Sequence, residues 1–238
     1  MENNLSKSIL AATASSLTDI SKDVLEATFD SVLDEGLIKD IPVLNTVHSL
    51  FKIGSSIKEK IFINMLLKFL FELKDIAIDK RIDFVNKLQD GEYRDKAGEK
   101  IIVILDKLDD SDKASMVGVI FRACVQGKLK FVDFLRLSHI INVAFLDDLY
   151  LLKNGFYADG HSATYHLQDT DLSKLYRIGL ASASIMPDKL SIAIRERYRG
   201  VDKLIDYKTE YKLNNDAYII TREIFDYAWI EKVYGIYK

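Results

Sequence analysis

Apolar residues recur at helical spacing from Lys58 to Lys153, a stretch that contains no proline. About six consecutive segments share this pattern, in which one face is apolar and the other is charged or polar. Polar breaks separate the segments: Asp90 and Gly91 have the composition of a turn, and Gly127 follows Gln126 as a helix stop. Because short connections join antiparallel neighbours, the pattern predicts a multi-helix bundle.

The same periodicity gives the boundaries of four amphipathic helices in this bundle. They are predicted over Lys80 to Leu88, Tyr93 to Leu108, Ser111 to Gln126, and Lys130 to Leu152 with a break near Asn142. Ser111 and Asp112 are expected to serve as the cap and the first-turn acid of the third of these helices.

The helix predicted from Ile61 to Leu73 differs from the others because its polar residues are only Asn64, Lys68 and Glu72. A helix that is apolar around most of its circumference must be covered on several sides. We therefore expect either the central helix of the bundle or a surface for an oligomer or a bilayer.

The amino-terminal segment, Leu5 to Leu33, follows a loose helical stripe and begins with an uncharged run over residues 8–18. Small residues are frequent there, and they allow helices to approach closely. The segment is either an amphipathic helix packed on the bundle or a helix that assembles with its own copies or inserts in a membrane. The candidate contacts for oligomer or membrane, from this segment and the apolar helix, are Ile9, Leu10, Ala12, Ser16, Leu17, Phe62, Leu66 and Phe69.

The pattern changes after the bundle. Glycine, histidine and other polar residues interrupt it from Asn154 to Asp171, which predicts a linker or an ordered crossover. The elements expected beyond it are a helix over Leu172 to Ala183, a strand within Leu204 to Leu213, a turn at Asn214, a second strand over Ala217 to Ile220, and a helix over Arg222 to Val233 capped by Thr221. The predicted chain is mainly α: a helical bundle over 1–153, a linker over 154–171, and a small α+β winged-helix-like domain over 172–238.

Composition narrows the classes of function. The 238 residues include one cysteine, Cys124, so an internal disulfide and a cysteine-rich zinc site are excluded. The net charge of −3 argues against a surface built wholly for nucleic acid, so any basic site must be local. No apolar run reaches the ~18 residues of a membrane span and no signal-peptide core begins the chain, which favours the cytoplasm.

Catalytic chemistry has no motif in this sequence. A glycine-rich phosphate loop, an HExxH zinc motif and a nucleophile elbow are all absent. Asp159, His161 and His166 form the only histidine-containing cluster, and their spacing is not diagnostic of a metal site. Cys124 lies on an amphipathic helix and is expected to be buried. We expect no enzymatic activity, no cofactor and no metal.

Basic residues concentrate between Lys189 and Lys203, around a tyrosine. Arginine forks onto phosphate and tyrosine stacks on bases, which suits nucleic acid or a phosphorylated ligand. The alternative is a solvated, salt-bridged face, because Asp188, Glu196 and Asp202 offset part of the charge. The candidate residues for nucleic-acid or phosphate binding are Lys189, Arg195, Arg197, Tyr198, Arg199 and Lys203.

Two places in the chain resemble bacterial helical proteins associated with abortive infection and prophages. One is Asp34-Glu35-Gly36-Leu37-Ile38-Lys39-Asp40-Ile41-Pro42-Val43, which leads into a helix-rich bundle. The other is Leu175-Tyr176-Arg177-Ile178-Gly179-Leu180 followed by Tyr218-Ile219-Ile220-Thr221, similar to a terminal winged-helix pattern, although Ile224 stands where that pattern has glycine. The resemblance implies defence against phage by a protein that harms or halts the host cell, and such effectors often act at membranes. It transfers no catalytic residue.

The sequence thus leads us to expect a non-enzymatic anti-phage effector that oligomerises and perturbs the membrane, gated by a ligand or partner. It would be cytoplasmic and peripheral to or inserted in the inner membrane on activation. The expected partners are further copies of the chain, the membrane, a nucleic acid or oligonucleotide ligand, and a protein encoded nearby. Two alternatives stay open: a winged-helix nucleic-acid-binding regulator and a protein-binding adaptor that uses exposed apolar residues.

Overall fold

The structure, a computed structural model, describes residues 2–17, 20, 25, 57–90, 93, 96–158, 163–188, 192, 197 and 207–225. Within these residues the chain forms nine helices and two small antiparallel sheets. The mainly helical fold predicted from the sequence is confirmed. The chain divides into two compact units, Met1–Val143 and Ala144–Lys238.

In the first unit, every element that the structure describes is a helix. They are α1 (Glu2–Thr13), α2 (Ile57–Phe71), α3 (Ile78–Asp90), α4 (Ala97–Asp106), α5 (Ser111–Val125) and α6 (Phe131–Val143). α5 packs on both α2 and α6, while α1 packs on α4. Aromatic rings fill the centre of this arrangement, because Phe121 contacts Phe69, Phe84 and Phe134 with ring centroids 5.2, 5.4 and 5.1 Å away.

The bundle covers most of α2, the helix that is apolar on nearly every side. Leu66 and Phe69 are fully buried, whereas Ile57 and Ile61 at the start of the helix are exposed. Lys68 projects from the same helix and donates to Ser111 Oγ at 2.8 Å. The prediction that this helix is covered within its own domain is confirmed for the residues from 63 to 73.

Two local signals fix the ends of α5. The side chain of Asp110 accepts a hydrogen bond from the backbone N–H of Asp112 at 2.7 Å, so the N-cap is Asp110 and the predicted cap, Ser111, is already helical. At the other end Gly127 has φ +76°, a left-handed conformation that suits a residue without Cβ. The predicted stop at Gly127 is confirmed.

The prediction of one helix from Leu5 to Leu33 is wrong, because α1 ends at Thr13. The carbonyls of Thr13 and Ser15 accept hydrogen bonds from the guanidinium of Arg81, at 2.8 and 2.7 Å. The last carbonyls of a helix have no intrahelical partner, and the guanidinium of Arg81 satisfies carbonyls at this end of α1.

The second unit mixes helices with two short ribbons. Its described elements are α7 (Leu146–Gly155), β1 (Phe156–Ala158), β2 (Ala163–Tyr165), α8 (Asp169–Arg177), β3 (Ala181–Pro187), β4 (Tyr207–Leu213) and α9 (Asn215–Ile224). β1 pairs with β2 and β3 pairs with β4, both antiparallel. α7 packs on α8 and α9, and α8 packs on β3 and β4. The segment predicted as a linker or crossover contains the β1–β2 pair.

Three carboxy-terminal predictions are wrong. The helix predicted over Leu172 to Ala183 ends at Arg177, because Gly179 takes φ +85° and the chain enters β3. The strand predicted over Ala217 to Ile220 lies inside α9, where the side chain of Asn214 caps the helix by accepting from the N–H of Ala217.

Thr221 consequently lies within α9 and does not cap a later helix. Its hydroxyl donates to the Ala217 carbonyl at 2.8 Å, which is the bond of a helix interior. The predicted strand within Leu204 to Leu213 is confirmed from Tyr207 onward, but its partner is β3.

Gly118 marks the closest approach of α2 and α5. A Cβ placed at Gly118 would lie 2.8 Å from the Phe69 carbonyl oxygen and 2.9 Å from Glu72 Cγ. The first of these atoms belongs to the backbone of a packed helix, so it cannot move away cheaply. A glycine at this position lets the two helices pack at backbone contact.

Gly118→Ala should therefore destabilise the protein by about 1–3 kcal/mol, the usual cost of overpacking a core. Helix propensity alone predicts the opposite sign, since alanine is favoured over glycine by about 0.5–1 kcal/mol. Urea unfolding measures the difference, with Ser115→Ala on the same helix as the control that adds no volume. A higher unfolding midpoint for Gly118→Ala would contradict the close approach.

Candidate functional site

The residues predicted to contact an oligomer or a membrane lie mostly in the core of the first unit. The buried ones are Ile9, Leu10, Ala12, Leu17, Leu66 and Phe69. Phe62 is half-buried and Ser16 is exposed. In this conformation the set faces protein and does not form an exposed apolar surface.

α1 is held on the bundle by a close backbone contact. A Cβ at Gly98 of α4 would lie 2.0 Å from the carbonyl oxygen of Ser6, a separation that no side chain could accommodate. Ile9 and Ala12 on the same helix are fully buried. The apolar face of α1 is thus closed off by direct helix packing.

Arg81 of α3 provides the polar part of this attachment. It is 3% exposed, and its Nη1 donates to the carbonyls of Thr13 and Ser15 while its Nε donates to the Ile76 carbonyl at 3.1 Å. Burial lowers the pKa of the guanidinium from its ordinary value. The charge is stabilised by carbonyls at the carboxyl end of a helix, where the helix dipole favours a cation.

The polar residues between α2 and α5 join the two helices. Arg122 Nη1 lies 2.9 Å from Glu72 Oε2, and Lys68 Nζ lies 3.0 Å from Asp112 Oδ1. Burial raises the pKa of Glu72 above 4.5, and the neighbouring Arg122 offsets part of that rise. Perturbed carboxylates are common at catalytic sites, but this one lies over Gly118 at the helix contact and has a structural explanation.

The pKa of Glu72 predicts a pH dependence of stability. A carboxyl whose folded pKa is raised favours the folded state while it is protonated, and this contribution is lost as the pH rises through 4.5 toward the folded value. In Glu72→Gln the neutral amide does not titrate, so the variant does not lose stability in this way. The free energy of unfolding of the variant, relative to wild type, should therefore rise with pH across that window.

Urea unfolding of both proteins at several pH values above 4.5 measures this difference. Glu99→Gln, which changes an exposed carboxylate, is the matched control. Parallel pH profiles for wild type and Glu72→Gln would show that burial of Glu72 does not shift its protonation.

Among the residues predicted to bind nucleic acid or phosphate, Arg197 is described and is exposed. The others lie outside the described residues: Lys189, Arg195, Tyr198, Arg199 and Lys203.

Within the described residues, no group of three or more His, Cys, Asp or Glu side chains is placed to hold a metal ion. His166 is exposed, while Asp159 and His161 lie outside that part of the chain. Cys124 is buried as predicted, and its Sγ lies 3.4 Å from the Lys130 carbonyl oxygen. None of the helices in the described ranges combines the length and apolarity needed to cross a bilayer.

The β3–β4 ribbon is the feature that sequence reasoning missed. Its register pairs Ala181 with Leu213, Ala183 with Tyr211, Ile185 with Thr209 and Pro187 with Tyr207. Residues paired in this way share a face, so one face of the ribbon is apolar or aromatic apart from Thr209. The opposite face carries the remaining positions of both strands: Ser182, Ser184, Met186, Lys208, Glu210 and Lys212.

Among the residues of the second unit that the structure describes, those at the base of the ribbon are covered and those at its outer end are exposed. Leu180 and Ala181 are buried, and the ring of Tyr211 lies 5.6 Å from that of Tyr176 on α8. At the outer end Ile185 is 75% exposed and Tyr207 is 64% exposed. The apolar face therefore extends beyond the helix that covers it.

The sequence did contain a signal for this ribbon. Serine alternates with alanine from Ala181 to Ser184, which is the period of a strand with two different faces. The pairing with a segment so distant in sequence had no local signal.

Comparison with known proteins assigns no family to this chain, because no family model, no curated protein and no solved structure matches it.

Proposed function

We propose that this protein is a non-catalytic binding protein that contacts another protein chain through the outer half of the β3–β4 ribbon. The observation that supports the proposal is the apolar face that continues past α8, with Ile185 and Tyr207 exposed at its end. This corresponds to the adaptor alternative from the sequence, in which exposed apolar residues make the contact.

Burial of the exposed apolar face by a bound protein would be energetically favourable. A two-stranded ribbon alone is marginally stable in water, and this one is anchored at its base. Fully burying a side chain such as Ile185 contributes about 1.5–3 kcal/mol. Aromatic residues such as Tyr207 are frequent among those that dominate protein interfaces.

The charges on the ribbon favour a protein over nucleic acid. Lys208 and Lys212 flank Glu210 on β4, and Lys212 Nζ lies 3.6 Å from Glu210 Oε2. Phosphate binding is driven by an accumulation of positive charge, which this alternation weakens. A winged-helix-like role, with the ribbon as the wing on nucleic acid, is the competing outcome.

A photo-activated cross-linking amino acid at Ile185 tests the proposal in cells. We expect a protein adduct at this position and none at Lys107, an exposed control position in the first unit. A nuclease-sensitive adduct would favour the nucleic-acid alternative. The absence of any adduct at Ile185 and at Tyr207 would overturn the proposal.

We propose as a second candidate the oligomerising, membrane-perturbing effector, in the defence setting that the resemblance implies. The attachment of α1 favours it. The buried apolar residues of α1 are held by packing, and one guanidinium, that of Arg81, binds the carbonyls at the end of the helix. Release of α1 would expose Ile9, Leu10 and Ala12, and a helix with an exposed apolar face can bind a bilayer surface.

Arg81→Gln should loosen this attachment, because it leaves buried carbonyls without a charged donor at a cost of about 1–3 kcal/mol. We expect faster amide hydrogen exchange in residues 6–13 and increased dye release from phosphatidylethanolamine–phosphatidylglycerol vesicles. Lys80→Gln, which changes an exposed neighbour on α3, is the control. Faster exchange without vesicle binding or leakage would reject the membrane candidate.

A further inference from the structure

We infer that the protein chain bound by the ribbon is a second copy of this chain, whose β3 pairs antiparallel with the first β3 across a two-fold axis at Ser184. The two ribbons would then form one four-stranded sheet in the order β4, β3, β3, β4. This inference rests on the proposed function, because it names the occupant of the same apolar face.

The two strands of the ribbon differ in how well their sequences prevent pairing with a further strand. Natural edge strands avoid unwanted pairing by carrying charged residues or proline. β4 carries Lys208, Glu210 and Lys212, whereas β3 has no charged residue and its only proline is Pro187 at the far end. Of the two strands, β3 has the sequence that accepts another strand.

The side chains of β3 are complementary in size to those of a second β3. With Ser184 on the axis, Ile185 of one copy lies opposite Ala183 of the other, and Met186 lies opposite Ser182. Large residues at the outer end therefore meet small residues near the base. Pro187, which cannot donate to a ladder, falls at the last position opposite Ala181, where a missing hydrogen bond costs least.

The same pairing joins the exposed apolar faces of the two ribbons. Directly opposite residues in an antiparallel pair share a face, so the apolar faces of both ribbons lie on one side of the joined sheet. The outer end of each ribbon then lies beside the base of the other. Ile185, which is 75% exposed in the single chain, is brought toward the α8 of the second copy.

Pairing through β4 lacks this complementarity. A two-fold axis at Glu210 would place that carboxylate against its own copy and Lys208 against Lys212. Like charges directly opposite each other in a sheet are destabilising. Axes at Thr209 or Tyr211 would instead pair Glu210 with a lysine, so β3 is preferred because it carries no charged residue and its side chains fit a second β3 in size.

Oxidative cross-linking of Ser184→Cys tests the register. Cα atoms directly opposite in an antiparallel pair are ~4.5–5.5 Å apart, within the ~4.4–6.8 Å range of a disulfide. Glu210→Cys is the matched control, since Glu210 is the partner of Ser184 within one ribbon. In the four-stranded sheet the two copies of position 210 are separated by three strand spacings, ~14 Å, which no disulfide spans.

On a non-reducing gel after mild oxidation, we expect Ser184→Cys to run as a covalent dimer. Glu210→Cys should form no covalent dimer. The wild-type protein, whose one cysteine is buried, should also form no covalent dimer. Equal cross-linking of both variants would indicate random collision and would overturn the inference.

Ser184→Lys provides a second test that leaves each ribbon intact. The new lysine faces Glu210 within its own ribbon, which favours the fold, but it meets its own copy across the axis. Sedimentation velocity should change from dimer for wild type to monomer for this variant, with unchanged circular dichroism. A wild-type protein that sediments as a monomer at 50-fold dilution and at full concentration would also overturn the inference.

The outcomes separate the inference from the proposed function. If the Ile185 cross-linker captures a different protein and Ser184→Cys does not dimerise, the binding function stands and the second copy is rejected. If neither experiment gives a protein adduct, both are rejected.

Discussion

The backbone contact between α2 and α5 at Gly118 is the constraint on which the first unit depends. With no Cβ at that position, the Phe69 carbonyl can approach α5, and the ring of Phe69 reaches Phe121. Phe121 in turn contacts Phe134 on α6. The polar pair of Glu72 and Arg122 lies along the same contact. The nearly all-apolar α2 thus obtains most of its cover from α5, which approaches at backbone distance, and the rest in part from α4.

Asn214 has a comparable organising role in the second unit. Its side-chain oxygen accepts from the N–H of Ala217 and caps α9, while its amide nitrogen donates to the Gly179 carbonyl at 2.7 Å. Its backbone N–H donates to the Leu180 carbonyl at 3.1 Å. One residue therefore joins the end of α8, the start of β3 and the start of α9, and this junction fixes the direction in which the ribbon leaves its base.

The helices were predictable wherever periodicity and end signals agreed, as they do for α5 between Asp110 and Gly127. The β3–β4 pairing was not, because it depends on contact between two segments that are separated by a long stretch of chain. The short apolar run from Ala217 to Ile220, rich in tyrosine and isoleucine, suits either a strand or a helix, and the cap at Asn214 decides for the helix.

The candidate membrane residues illustrate a different difficulty. Ile9 and Ala12 are small or apolar and uncharged, and these properties suit a membrane contact and a helix packed in a core equally well. The helix that covers them is α4, and the end of α1 is bound by Arg81, 68 residues from Thr13, which in the sequence is an ordinary basic residue on an amphipathic helix. The ribbon as a candidate site depended on three-dimensional pairing and was not foreseen.

The position of Arg81 also bears on the order of events during synthesis. α1 is translated before the residues that hold it in place, since Arg81 and Gly98 lie much later in the chain. Contacts between distant parts of a chain form slowly, because the entropy lost in closing the intervening loop precedes any gain from the contact. α1 is therefore expected to dock late, after α3 and α4 have formed, and until then its apolar face is available to chaperones.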